Sequence, residues 1–205
     1  MRALEARKDL GALSARNFKL HRDTEVSPLA TRFAHLRCAR FELIMKTLLL
    51  LRHANAENLA PGSSDFERAL SESGQIQARE LGAHLNQQFA IDLVLASAAR
   101  RARETTELVL AAAELSPDIR YEQSMYETSV PQLLALLRKT NDAIETLLLV
   151  GHNPVMEDLA QALTKRAVHM STCTLVAITL DVDRWSDVME GGGDLEQIIR
   201  PDDVR

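Results

Sequence analysis

The sequence predicts an α/β fold, a three-layer sandwich in which a mostly parallel sheet carries helices on both faces. From residue 45 onward, apolar runs of strand length alternate with segments of helical pattern, which is typical of parallel sheets. Two of these runs, residues 47–51 and 145–150, are rich in leucine and read as strands buried on both faces. A histidine follows each of them closely, His53 after the first and His152 after the second.

The other elements follow in chain order. Strands are predicted at 47–51, 92–97, 145–150 and 174–181, and helices at 72–89, 98–115, 131–139 and 155–163. Ser71 is expected to cap the first helix, with Ile76, Leu81 and Leu85 facing inward. Residues 185–189 and 195–199 flank three glycines and predict an antiparallel hairpin at an edge of the sheet.

Composition excludes several classes of protein. The chain has 205 residues and a formal net charge of −5, which argues against a broad nucleic-acid-binding surface. Its two cysteines, Cys38 and Cys173, lie far apart and match neither a disulfide framework nor a metal site. No apolar stretch approaches the roughly 20 residues of a membrane helix, and the amino terminus lacks a signal-peptide pattern. We therefore expect a cytoplasmic protein with no membrane association.

The first 44 residues differ from the rest. They contain nine Lys and Arg and five Asp and Glu, a balance of +4, whereas residues 45–205 have a balance of 15 − 24 = −9. This segment shows no sustained helical or strand pattern after about residue 20. We expect residues 1–44 to be a poorly ordered extension, or Met45 to be the true start, and residues 45–205 to form the functional domain.

Cationic and imidazole side chains follow three of the predicted strands. Arg52 and His53 follow the first, Arg101 lies four residues after Ser97 at the end of the second, and His152 follows the third. Because ligands of open α/β sheets bind outside the carboxyl ends of the strands, we expect these groups to converge. Guanidinium groups suit bidentate binding of oxyanions, so phosphate is the first candidate ligand. A histidine fixed at a strand end can present a neutral nitrogen as nucleophile.

Four motifs together resemble the histidine phosphatase superfamily, which has the phosphoglycerate-mutase-like fold. They are Leu-Arg-His-Ala-x-Ala-Glu at 51–57, Asp-x-x-Arg-x-Leu-Ser-x-x-Gly-x-x-Gln-Ala at 65–78, Ser-x-x-x-Arg-Ala-x-x-Thr at 97–105, and Val-Gly-His-Asn-Pro at 150–154. The resemblance covers essentially residues 45–205. The short length and the His-Asn-Pro element are most similar to the SixA-type phosphohistidine phosphatases.

The resemblance implies roles for the matching residues. His53 would be the nucleophile that becomes phosphorylated, and Arg52, Arg101 and His152 would complete the catalytic phosphate pocket. Asn58 lies where some relatives place an asparagine that contacts phosphate, so it is a candidate substrate-binding residue. No cofactor is implied. No metal is expected either, because a carboxylate cluster is missing and a cationic pocket would repel a divalent ion.

The general acid is the open question. Larger relatives protonate an alkoxide leaving group with a glutamate, and here Glu57 and Glu127 are the insecure candidates. Since imidazole leaves phosphorus more readily than an alkoxide, a site without a firm acid favours phosphohistidine on a protein as substrate. The alternatives are a phosphatase of small phosphate monoesters and a non-catalytic module that only binds phosphorylated partners. The sequence carries no indication of oligomeric state.

Overall fold

A computed structural model describes residues 45–86 and 88–204; the predicted extension 1–44 lies outside the described residues. Within them, six strands form one mixed sheet, and four α-helices cover its faces. The strands are β1 Lys46–Arg52, β2 Leu93–Ser97, β3 Asp118–Glu122, β4 Thr146–Gly151, β5 Leu175–Leu180 and β6 Gly193–Ile199. The helices are α1 Glu72–Leu85, α2 Arg100–Ala112, α3 Val130–Leu137 and α4 Val155–Thr164. The predicted α/β class is therefore confirmed.

The strand order places the two histidines side by side. The sheet runs β3-β2-β4-β1-β5-β6; the pairings from β3 to β1 are parallel, and those of β5 with β1 and β6 are antiparallel. In the central pair, β1 lies in register with β4 so that Arg52 is opposite Gly151. His53 and His152 are the next residues, and the amide of His53 donates to the Gly151 carbonyl at 3.0 Å. Both rings thus emerge at the same edge of the sheet.

Alternate residues of the central strand enter two different apolar cores. Leu48 and Leu50 pack with α3 and α4, whereas Leu49 and Leu51 pack with α1 and α2. All four leucines have no solvent exposure. Because successive side chains of a strand point to opposite faces, a run of four leucines is what a strand covered on both sides requires. This arrangement confirms the three-layer prediction.

The first helix is shorter than predicted, and one residue that was predicted to face inward is exposed. Helix α1 ends at Leu85 rather than near residue 89, and Ser71 caps it as expected by accepting from the Gly74 amide at 3.1 Å. Ile76 is 45% exposed. The buried stripe of the helix runs through Gly74, Ala78, Leu81 and Leu85, and Ile76 lies about 160° away from Ala78 around the axis. Ile76 therefore lies outside the apolar face by which the helix packs on the core.

The predicted hairpin at the sheet edge was right for residues 195–199, which lie in the antiparallel edge strand β6, and wrong for residues 185–189. Trp185–Asp187 form a short 3₁₀ turn rather than a strand, and β6 pairs with β5. The Trp185 ring is fully buried and its Nε1 donates to the Ile144 carbonyl at 2.8 Å, so the residue serves the core. Strand β3 was not predicted, because its sequence Asp-Ile-Arg-Tyr-Glu is mostly polar and exposed at the sheet edge. No helix of the described residues combines the length and the apolar character needed to span a membrane.

Candidate active site

A polar cavity of about 410 Å³ opens at the carboxyl ends of β1 and β4. It is lined by Arg52, His53, Asn55, Ala56, Asn58, Asp65, Arg68, Arg101, His152, Asn153 and Thr172. The five residues expected from the sequence to be catalytic or to bind substrate all belong to this lining: Arg52, His53, Asn58, Arg101 and His152. Three separate elements deliver them: β1 and the loop after it, the first turn of α2, and the loop after β4. The expected convergence of these side chains is present.

The two ring nitrogens of His53 have different partners. Nδ1 lies 2.8 Å from the carbonyl oxygen of Ala54, and because a carbonyl only accepts, Nδ1 holds the proton and donates. Nε2 therefore carries a lone pair, and it accepts from Nε of Arg101 at 3.2 Å. The ring is 7% exposed. The direction of Nε2 is thus fixed, and the hydrogen bond that it accepts from the described residues comes from a guanidinium.

Burial keeps His53 uncharged. The pKa of His53 is lowered to about 4: removal from water is the largest cause, the hydrogen bond to the Ala54 carbonyl opposes it, and the positive charges of Arg101, Arg52 and Arg68 add to the lowering. An imidazole with this pKa is neutral at physiological pH and is available as a nucleophile. The cationic pocket that would bind a phosphoryl group therefore also maintains the reactive form of the histidine.

The backbone after His53 is held by side chains of two helices. Thr105 of α2 accepts from the Ala54 amide at 3.0 Å, and Gln77 of α1 accepts from the Asn55 amide at 3.1 Å. A Cβ atom on Gly74 would lie 1.9 Å from the Asn55 carbonyl oxygen, so only glycine permits this close approach of helix and loop. These contacts give Gly74, Gln77 and Thr105, all of which belong to the sequence motifs, a structural role around the histidine.

Every nitrogen of the Arg101 guanidinium makes a polar contact. Besides the contact of Nε with His53, Nη1 donates to the backbone oxygen of Asp65 at 2.7 Å and Nη2 pairs with Asp65 Oδ2 at 3.1 Å. The residue is 5% exposed. Its neighbours Arg100 and Arg103 are exposed on the same helix. Arg100 pairs with Glu104, and Arg103 lies over the Tyr121 ring. Arg101 is therefore the arginine that faces the cavity.

His152 is neutral and hydrogen-bonded to Ser97. Its Nε2 lies 2.9 Å from the Ser97 hydroxyl, which also accepts from the Ala99 amide at 3.4 Å. In the tautomer in which the hydroxyl donates to Nε2, Nδ1 bears the ring proton; Nδ1 is buried and has no hydrogen-bond partner among the described residues. Burial, followed by the charges of His53 and Arg101, lowers the pKa of His152 to about 3. The centre of its ring lies 5.0 Å from that of His53.

Arg52 is tied to the loop before β5. Its Nη1 donates to the Met170 carbonyl at 2.8 Å, and Asn153 donates from Nδ2 to the same oxygen at 2.9 Å. Nε of Arg52 is buried without a hydrogen bond. Burial lowers the pKa of Arg52 and the nearby carboxylate of Glu157 acts in the opposite direction. The unpaired Nε of Arg52 and Nδ1 of His152 are donors of the kind that a bound oxyanion satisfies.

Sequence reasoning assigned no role to the carboxylate of the cavity, Asp65. Its Oδ2 accepts from the Tyr126 hydroxyl at 2.8 Å and pairs with Arg101, while Oδ1 lies 3.2 Å from Nε of Arg68. The Tyr126 hydrogen bond and the two arginines lower the pKa of Asp65, although its partial burial opposes them. Asp65 and Arg68 were recognised as part of a sequence motif, but the sequence did not indicate that their side chains would face the cavity. Tyr126 is distant in sequence and was not recognisable.

The weaker sequence candidates have different outcomes. Asn58 lines the cavity but is exposed, and neither Glu57 nor Glu127 belongs to the lining; both are exposed. Within residues 45–86 and 88–204 there is no cluster of three or more His, Cys, Asp or Glu side chains that could hold a metal ion. Of the acidic residues described, Asp65 is therefore the one that lines the cavity.

Comparison with known proteins relates this chain to one family. Residues 48–140 match the family model described as histidine phosphatase superfamily (branch 1). A provisionally named phosphohistidine phosphatase SixA from Agrobacterium tumefaciens has a similar structure, with 28% identity, a TM-score of 0.67 and coverage of 76% of this chain and 98% of that one.

The likeness extends to two further proteins. A provisionally named SixA from Nakamurella multipartitia has 26% identity, a TM-score of 0.68 and coverage of 77% and 96% of the two chains. An uncharacterised protein of Mycobacterium tuberculosis is 28% identical over 152 residues, which is 69% of this chain and 93% of that protein.

Proposed function

Because residues 48–140 match the model of the histidine phosphatase superfamily, we propose that this chain is a phosphatase that hydrolyses the N–P bond of phosphohistidine on a protein substrate. The superfamily match supports phosphatase activity as such. The choice of phosphohistidine depends on the chemistry of the cavity, argued below.

The first step of the proposed reaction is attack by Nε2 of His53 on phosphorus. A new bond forms from His53 to phosphorus while the bond from phosphorus to the departing nitrogen breaks, and the electron pair of that bond stays with the leaving imidazole. Arg101 Nε must release Nε2 and can then donate to a phosphoryl oxygen. In the second step, water attacks phosphorus in line, and His53 leaves as the neutral ring that it was at the start.

The donors around His53 suit the charge of the transferred group. Phosphoryl transfer depends mainly on positioning and on stabilising negative charge at three oxygens. Arg52, Arg101 and Arg68 supply guanidinium groups. In its Nδ1-protonated tautomer, His152 supplies an uncharged donor that has no hydrogen-bond partner among the described residues. In this proposal, Arg52, Arg101 and His152 are catalytic residues that contact the phosphoryl group, and Asn58 at the cavity edge contributes to substrate binding.

The observation that carries the choice of substrate is the absence of a protonated acid among the described cavity residues. The carboxylate there, Asp65, has a lowered pKa because Tyr126 and two arginines stabilise its charge, so it cannot give a proton to an alkoxide. His152 has a pKa of about 3 and is neutral. An imidazole leaving group needs less help than an alkoxide does, so the site suits N–P bonds better than ester bonds.

The nucleophile is tested by trapping the intermediate. A phosphohistidine protein labelled with ³²P, mixed briefly with the enzyme and quenched in base, should leave label on the enzyme that is stable in base and lost in acid. His53→Ala should abolish this label and lower turnover by about 10³-fold or more. His84→Ala, on α1 and outside the cavity, is the control and should keep both. Label on His53→Ala would contradict the assignment.

The substrate class is tested by direct comparison. We expect kcat/KM for a phosphohistidine protein to exceed that for a panel of alkyl phosphate monoesters by about 10²-fold or more. Arg101→Lys should lower both activities, because one ammonium cannot replace a guanidinium bound in three directions, whereas Arg103→Lys should lower neither. A preference for alkyl monoesters would instead identify a small-molecule phosphatase.

A further inference from the structure

Asp65 is an unusual residue for a pocket that binds phosphate. A carboxylate beside a dianionic phosphoryl group weakens binding by repulsion, and of the acidic residues described only Asp65 lines the cavity. Part of its role is to hold Arg101, whose Nη1 and Nη2 both contact it. This accounts for the backbone oxygen and Oδ2 of Asp65. Oδ1 makes neither of these contacts with Arg101.

The two carboxylate oxygens of Asp65 are in different states. Oδ2 receives the Tyr126 hydroxyl and contacts Arg101 Nη2. Oδ1 has an ion-pair contact with Arg68 Nε at 3.2 Å but receives no hydrogen bond from the described residues, and 40% of the side chain is exposed. A carboxylate oxygen has two acceptor sites, so Oδ1 keeps the capacity to accept from a bound molecule.

The proposed reaction creates a need for such an acceptor. Transfer from phosphohistidine to His53 passes a phosphoryl group between two imidazoles, so the two rings should be held in equivalent ways. On the enzyme, the remote N–H of His53 donates to the Ala54 carbonyl. When the substrate ring is protonated on its remote nitrogen, it leaves as neutral imidazole and keeps that proton, so its N–H needs an acceptor and no proton is transferred.

The position of Asp65 suits this role. Arg101 lies between the nucleophile and the carboxylate, with Nε on His53 and Nη2 on Asp65. A phosphoryl group that binds to Arg101 is therefore flanked by His53 on one side and by Asp65 on another. We propose that Asp65 Oδ1 accepts the remote N–H of the departing imidazole and so selects phosphorylated imidazoles over phosphate esters. This inference rests on the proposed function.

Asp65→Asn separates the two oxygens. Because the Tyr126 hydroxyl and Arg101 Nη2 both donate toward the Oδ2 position, the amide oxygen should take that position and preserve the support of Arg101. The amide NH₂ then replaces Oδ1, where it opposes an incoming N–H. Glu67→Gln, an exposed carboxylate two residues away and outside the cavity, is the matched control.

Three phosphoryl donors complete the experiment: N-phosphorylimidazole, its N′-methyl analogue, which is cationic but has no N–H, and p-nitrophenyl phosphate. For Asp65→Asn we expect kcat/KM to fall by about tenfold or more for phosphorylimidazole and by less than about threefold for the other two. Wild type and Glu67→Gln should prefer phosphorylimidazole over the methylated donor, and Asp65→Asn should lose that preference.

Other results would overturn one of the two proposals in a recognisable way. An equal loss for all three donors in Asp65→Asn, or no discrimination against the methylated donor by the wild type, would mean that Asp65 acts only by positioning Arg101. Wild-type turnover of p-nitrophenyl phosphate without turnover of phosphorylimidazole would overturn the proposed function itself.

Discussion

The two faces of the sheet do different work. On the face covered by α3 and α4, the buried cluster includes Trp185. Its ring Nε1 donates a hydrogen bond to the Ile144 carbonyl. Ile144 precedes the amino end of β4, so this contact lies at the edge of the sheet opposite the cavity. On the face covered by α1 and α2, side chains bond directly to the backbone that follows His53, through Thr105 and Gln77. The first face contributes mainly stability, and the second also fixes the geometry of the nucleophile.

The largest expected effect is on stability, from the face without catalytic contacts. Trp185→Ala removes a fully buried indole and should lower the free energy of unfolding by about 3–5 kcal/mol, because the surrounding core fills the space left by the indole only partly. Urea unfolding measures this change. At temperatures where the variant is folded, kcat should stay within about twofold of wild type. A large loss of kcat in folded protein would contradict the division between the faces.

Gly74→Ala should damage both stability and activity. The added methyl group would lie 1.9 Å from the Asn55 carbonyl oxygen, so helix α1 or the loop after His53 must move. We expect a loss of about 1–3 kcal/mol in the free energy of unfolding and a fall in kcat of about tenfold or more. Gly192→Ala is the control, because its methyl group would meet the Met189 side chain and backbone at 3.2–3.3 Å, outside the cavity. Equal kcat in the two variants would exclude a role for this contact in positioning.

Thr105→Val tests a single hydrogen bond to the nucleophile loop. The change leaves the Ala54 amide without its acceptor, which should cost about 1–3 kcal/mol in stability and lower kcat by several-fold. Thr106→Val is matched in burial and helix position, but the Thr106 hydroxyl bonds only to Ala102 in its own helix. The difference in kcat between the two variants measures the contribution of the Thr105 bond to His53. A difference of zero would assign Thr105 to stability alone.

A further prediction concerns the pH dependence of stability. His53 and His152 have pKa values of about 4 and about 3 in the folded protein, below the ordinary 6.5, so the unfolded chain binds protons more readily. Stability from the neutral rings is full above about pH 6.5 and is lost as the pH falls toward those values, by about 1.4 kcal/mol per unit for each histidine.

His53→Asn should remove one histidine's share of that slope. The free energy of unfolding measured from pH 7 to pH 4 tests this. An unchanged slope in His53→Asn would mean that His53 is not held neutral by the fold.

Local patterns were enough for much of the molecule. Leucine runs predicted β1 and β4, and a serine before an amphipathic segment predicted the cap of α1, because burial on two faces and helix capping leave direct traces in sequence. Edge strand β3 left no such trace, since a mostly exposed strand needs no apolar pattern. The turn at Trp185 was wrongly predicted as a strand for the opposite reason. Aromatic residues are common in strands, and the sequence does not show that this one packs in the core from a turn.

The sequence by itself determined the α/β class and which histidines and arginines would meet, because residues that follow parallel strands must emerge at one edge of the sheet. Only the tertiary structure decided which nitrogen of His53 is free and that Asp65 and Tyr126 join the site. Those features depend on hydrogen bonds between residues up to 61 positions apart, and the direction of a loop side chain is set by its partners in space. A pKa shift likewise reflects burial and neighbouring charge, which exist only once the chain has folded.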